Sequence, residues 1–194
     1  MKPWLVATVM ASIAWLSVWG SQSPHVHGEA QLRIIVAPSR VSMSLTVPGM
    51  SLVGFERQPR TPSEHQQIEH VRQQWAQTNW FQFHQKTGWL RREHPVDATQ
   101  LDTQFNHTPV AVHDTHHDDH GHHHDHHAEP EPHVEFTLRA EYAVPTSAVL
   151  SSISTDLFST FNGITRMMVT VITDDHQSHH VVDATHPSIP IPTH

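Results

Sequence analysis

Apolar side chains recur at every second position twice near the start of the chain: Ala30, Leu32, Ile34 and Val36, then Val41, Met43, Leu45 and Val47 against Ser42, Ser44 and Thr46. A period of two puts such a set on one face of a strand. With Pro38, Ser39 and Arg40 between them as a turn, the two runs predict a hairpin. "HVEFTLRAEYAV" keeps the same period, with Val134, Phe136, Leu138, Ala140 and Tyr142 on one face and His133, Glu135, Thr137, Arg139 and Glu141 on the other. "WFQFH" and "TGWLRRE" predict a second hairpin around Lys86, Thr87 and Gly88, and "TRMMVTVIT" with "SHHVVD" a final one across Asp174, Asp175 and His176.

Helical signals are fewer. "MSLVGFERQP" reads as a short apolar turn or a single helical turn. Thr61 as N-cap, Pro62 at the first helical position and Glu64 three residues after the cap form a capping box, and Ile68, Val71 and Trp75 then share a face. Leu150, Ile153, Leu157, Phe158 and Phe161 suit a second helix ended by Asn162 and Gly163. Residues 97–132 show no sustained period, and the tail "HPSIPIPTH" reads as extended. Few helices among many hairpins predict an α+β fold: a largely antiparallel sheet, two helices, and a long His/Asp-rich loop between two halves.

The first residues modify this picture. Lys2, an apolar run from Trp4 to Trp19, and Val18 and Gly20 at the −3 and −1 positions predict a secretory signal over residues 1–20. The competing reading is an uncleaved membrane anchor. Cleavage would leave one domain, 21–194, with no stable membrane insertion and with 107–132 as a flexible loop. On either reading the body of the protein is expected to be exported.

Charge and cysteine content narrow the chemistry. With histidines neutral the formal charge is −8, which argues against nucleic acid, whose phosphates need clustered Lys and Arg. No cysteine is present, so any metal must take nitrogen and oxygen ligands.

Those ligands are abundant. Between His113 and His133 there are ten histidines and four aspartates: His113, His116, His117, His120, His122, His123, His124, His126, His127 and His133, with Asp114, Asp118, Asp119 and Asp125. Imidazole and carboxylate suit Zn2+ above all, with Ni2+, Co2+ and Cu2+ as alternatives. Four ligands complete a tetrahedral zinc site, and almost any four neighbours here supply them. A loop that must be ordered on binding holds each ion less firmly than rigid strands would. Many ligand sets at high local density favour several exchanging ions, which suits capture and transfer. A plain solvated linker has little reason to choose His.

A smaller constellation flanks the run. On a strand, His25 and His27 of "HVHGEA" would share a face about 6.8 Å apart, and His133 and Glu135 would do the same. If the two strands are neighbours, these four residues converge on one ion beside the loop. His179 and His180 point to opposite faces of a strand, and His65 with Glu69 reads as a surface pair on a helix.

The stretches "HVHGEAQL", "VPGMSLVGFERQPRT", the central His-rich run, "HVEFTLRAEY", "DLFSTFNGI" and "VTVITDDHQS" resemble the ZrgA family of periplasmic zinc-binding proteins of Gram-negative bacteria. "LVGFE", residues 52–56, and the opening "HVHG" carry most of that likeness. The resemblance implies an accessory of a high-affinity zinc uptake system, made when zinc is scarce, with a membrane zinc transporter as partner. The family often carries further histidines in the strand after its loop, where this chain has Thr137 and Arg139. A metal buffer or resistance protein is the neighbouring alternative. A zinc hydrolase would need a motif such as H-E-x-x-H, which the sequence lacks, so no enzyme is expected. A docking protein with the run as pH sensor would respond to acid but not to zinc.

Overall fold

The computed structural model describes residues 26–77, 79–87, 92–110 and 133–192. The alternating runs become β1 (Glu29–Ala37) and β2 (Arg40–Pro48), an antiparallel hairpin with Ala37 opposite Arg40. Ala30, Leu32, Ile34, Val41, Met43, Leu45 and Val47 are all buried, as the period of two requires. Helix α1 (Gly49–Val53) follows at once and ends at Gly54, whose φ of 78° is left-handed. Helix α2 (Pro62–Gln77) opens with the expected capping box. Glu64 N–H donates to Thr61 Oγ1 at 3.2 Å, and Thr61 N–H donates to Glu64 Oε2 at 3.1 Å. Ile68, Val71 and Trp75 are its buried face, and Trp75 stacks on Trp80 with centroids 6.0 Å apart.

Strands β3 (Phe81–Thr87) and β4 (Arg92–Val96) form the second hairpin. Then β5 (Thr99–Val110) runs antiparallel to β6 (His133–Ala143), with Val110 opposite His133. The region without visible period therefore contains a strand of 12 residues, reaching to Val110 inside the expected loop 107–132. It is an edge strand, and Asp102, Gln104 and Asn106 give it no apolar stripe to read.

The expected second helix is mostly strand. Leu150–Thr155 is β7, and only Leu157–Thr160 is helical, as α3. Leu150 and Ile153 fit a helical face by spacing, but β7 is paired on both sides, with β3 and with β10 (Ser188–Pro190). Tertiary pairing overrides the local pattern here. Strands β8 (Arg166–Ile172) and β9 (Gln177–Asp183) complete the chain's hairpins.

Among the described residues the fold is thus largely β with three short or medium helices, and the strands form two sheets rather than one. Six strands run in the order β5-β6-β2-β1-β8-β9, and four in the order β10-β7-β3-β4. Every pairing between these strands is antiparallel except β1 with β8. The sheets meet through Tyr142 of β6, whose ring lies 4.9 Å from Phe83 and 6.3 Å from Phe81 of β3, centroid to centroid. Among the described residues no helix is long and apolar enough to cross a membrane.

Candidate metal centre

Three separate parts of the chain meet beside α1, and glycines allow them to. Gly28 turns the backbone just before β1 at a φ of 82°, and a Cβ there would lie 2.7 Å from Thr165 Oγ1. Its N–H donates to Ser51 Oγ at 3.1 Å, and its carbonyl accepts from Thr165 N at 2.8 Å. His27 is thereby placed in a turn at the head of β1, not on the strand as expected. β1 begins only at Glu29, so His27 precedes the strand, while its expected companion His25 lies outside the described residues.

On the other side, Gly49 lets the chain after α1 return close to β6. A Cβ on Gly49 would overlap the Phe55 carbonyl oxygen and come within 2.9 Å of the Val134 carbonyl. Val134 N–H donates to the Glu56 carbonyl, fixing that residue's main chain against the start of β6. Its neighbours are tied down as well: the Arg57 guanidinium pairs with Glu64 and lies 5.6 Å from the centroid of the Phe55 ring. That guanidinium, ahead of the Arg60 and Thr61 amides, holds the Glu64 carboxyl down to about 2.

The result is a convergence on Glu56. Its Oε2 lies 3.2 Å from His133 Nδ1, and its Oε1 lies 3.6 Å from His27 Nε2. The Glu56 side chain is 16% exposed, against 64% for His27 and 50% for His133. Oε1 is buried and has no hydrogen-bond partner among the described residues. A buried acceptor left without a donor costs about 1–3 kcal/mol, and more when charged. A cleft of about 10 Å³ lined by Pro48, Glu56, His133, Val134 and Glu135 opens beside the carboxylate.

Strand adjacency differs from expectation. β1 and β6 are not neighbours, since β2 pairs with both. The other edge of β1 is taken by β8, so β6 pairs along the outer edge of β2. His27 and His133 are brought together instead by Glu56, a residue the ligand spacing did not single out. Glu135 lines the same cleft. His25 and the nine histidines from His113 to His127 lie outside the described residues. Among the described residues, no three His, Asp or Glu side chains already close around a single point as metal ligands. Closure here requires rotation of the two imidazoles, both at least half exposed.

His179 and His180 are engaged elsewhere. His179 Nδ1 is 3.1 Å from Thr170 Oγ1, and His180 Nε2 is 2.9 Å from Ser178 Oγ. Burial, then the neighbouring His179, lowers the pKa of His180 below the usual imidazole value. Glu69 accepts from Arg72 and Gln73, which leaves His65 as a surface residue.

Two imidazoles gathered on a sheltered carboxylate present nitrogen and oxygen donors of the kind that suit borderline divalent metals. The chain belongs to the ZrgA family of zinc uptake proteins: the model of that family matches residues 24–191. Its role accordingly lies in zinc uptake. No curated protein matches the chain.

Proposed function

We propose that the mature protein captures Zn2+ in the periplasm, after removal of residues 1–20, and passes it to a membrane zinc uptake system without catalysing a reaction. The observation that carries this reading is the register of β5 and β6. Val110 sits opposite His133, so the connection holding His113 to His127 leaves and re-enters the sheet at one place. That place is beside Glu56, 3.2 Å from His133. Ions gathered by the run are therefore tethered next to the folded ligands, at a local concentration that free solution does not provide.

Calorimetric titration of Zn2+ into the mature protein, and into a version with residues 113–127 replaced by a Gly/Ser linker, tests this. Several ions are expected in the first and far fewer in the second. A mature protein that binds no zinc at micromolar or tighter affinity would sink the reading.

A further inference from the structure

Glu56 is the least exposed member of its cluster and the most firmly held. Its carbonyl is bonded to Val134 and its neighbour Arg57 to Glu64. Yet its carboxylate is poorly served as a simple ion pair. Charge-assisted N–H···O bonds run about 2.7–2.9 Å, whereas the two imidazole nitrogens stand at 3.2 and 3.6 Å. Oε1, moreover, has no donor among the described residues. Two ligand atoms each about 2.1 Å from a tetrahedral zinc ion stand about 3.4 Å from one another. The two spacings on Glu56 bracket that value.

We propose that His27 Nε2, the Glu56 carboxylate and His133 Nδ1 form the fixed zinc site of this chain, with a coordination position left open. This rests on the reading that zinc is the cargo, and adds to it which side chains of the folded body receive the ion. Glu56 supplies the negative charge and the fixed point. His27 and His133 turn onto the ion from the exposed side. A His₂Glu set with an open position takes a further ligand without first losing one, whereas a closed four-ligand site must first release a ligand. Exposure of both imidazoles gives the ion its way in and out. Gly49 belongs to the same arrangement, because a Cβ there would meet the Phe55 and Val134 carbonyl oxygens and displace the backbone that carries Glu56.

The test is competition for Zn2+ between the purified full chain and a chromophoric chelator strong enough to strip ions from loosely bound histidines. Wild type is compared with Glu56→Gln, which keeps size and removes charge, and with His27→Ala, whose mostly exposed side chain bears little on folding. His65→Ala serves as a control outside the site. The expected result is that both site variants lose the tightest ion, with affinity falling at least tenfold, while the weaker ions and the His65→Ala variant are unaffected. If Glu56→Gln and His27→Ala both keep the tightest ion at wild-type affinity, the site is overturned and zinc capture by the run stands. If wild type itself takes no zinc from the chelator or from buffer, the cargo reading fails and the site with it.

Discussion

Val134 gives its backbone N–H to the carbonyl of Glu56, which joins the first buried residue of β6 directly to the main chain of the residue whose carboxylate lies between the two histidines. His133 precedes Val134 directly, and the histidine-rich connection precedes His133. One main-chain bond thus couples the carboxylate to the point where that connection joins the sheet. Its formation depends on Gly49, over which the Phe55 and Glu56 backbone passes.

Gly49→Ala is expected to disturb this point first. The added Cβ meets two carbonyl oxygens, those of Phe55 and Val134, neither of which can yield without shifting main chain. Overpacking of this kind costs about 1–3 kcal/mol. Urea unfolding should show that loss, and a zinc titration of the folded variant should show weaker tight binding. An unchanged midpoint would mean that the segment after α1 adjusts freely and does not position Glu56.

The start of α2 should carry an acid-sensitive contribution to stability. The Arg57 guanidinium and the Arg60 and Thr61 amides hold Glu64 at about 2 in the folded state, below its ordinary value of 4.5. Because the folded value is the lower, the contribution is complete above pH 4.5 and is lost as pH falls toward 2. In Glu64→Gln that part of the acid dependence should vanish, read as a smaller fall in unfolding midpoint between the two pH values. Thr61→Ala, which removes the cap hydroxyl along with its methyl group, should cost about 1 kcal/mol at any pH.

Much of this architecture is written in short-range pattern, and the exceptions have physical causes. The strands β1, β2 and β6 are legible because each buries one face, so every second residue is apolar. The capping box at Thr61 and Glu64 is legible because its partners lie three residues apart. β5 is not, since an edge strand is held by its ladder to β6 rather than by an apolar stripe, and β7 is misread because Leu150 and Ile153 fit either period. The candidate site is half legible: His27 and His133 are conspicuous, but Glu56 lies in an irregular stretch whose partners are 29 and 77 positions away by sequence number. The one pointer to it is the stretch "LVGFE", which carries much of the family likeness and ends at Glu56.

The single tyrosine of the chain offers a clean probe of the contact between the sheets. Tyr142 is 1% exposed, and burial pushes its hydroxyl up from 10.0 to about 12. Folding is therefore favoured by this group up to pH 10, and the contribution is lost as pH rises toward 12. Absorbance of tyrosinate should appear near pH 10 in urea and only well above it in the native protein. Native titration at pH 10 would show that water reaches Tyr142 and that the sheets do not close over it. Tyr142→Ala should cost about 3–5 kcal/mol, as for other large aromatic deletions in a core.

Zinc itself should distinguish the two kinds of ligand through stability. Histidines adjacent in sequence meet an ion whether or not the chain is folded, so ions on the run from His113 to His127 bind both states and leave the unfolding equilibrium nearly unchanged. His27, Glu56 and His133 are distant in sequence and meet only when β1, α1 and β6 are in place. An ion held there binds the folded state alone, and at about 100 times its dissociation constant it should add about 2.7 kcal/mol. Thermal unfolding with and without zinc should show this gain in wild type and lose most of it in Glu56→Gln. Zinc that binds in quantity without raising the midpoint would place every ion on the run and none on the folded body.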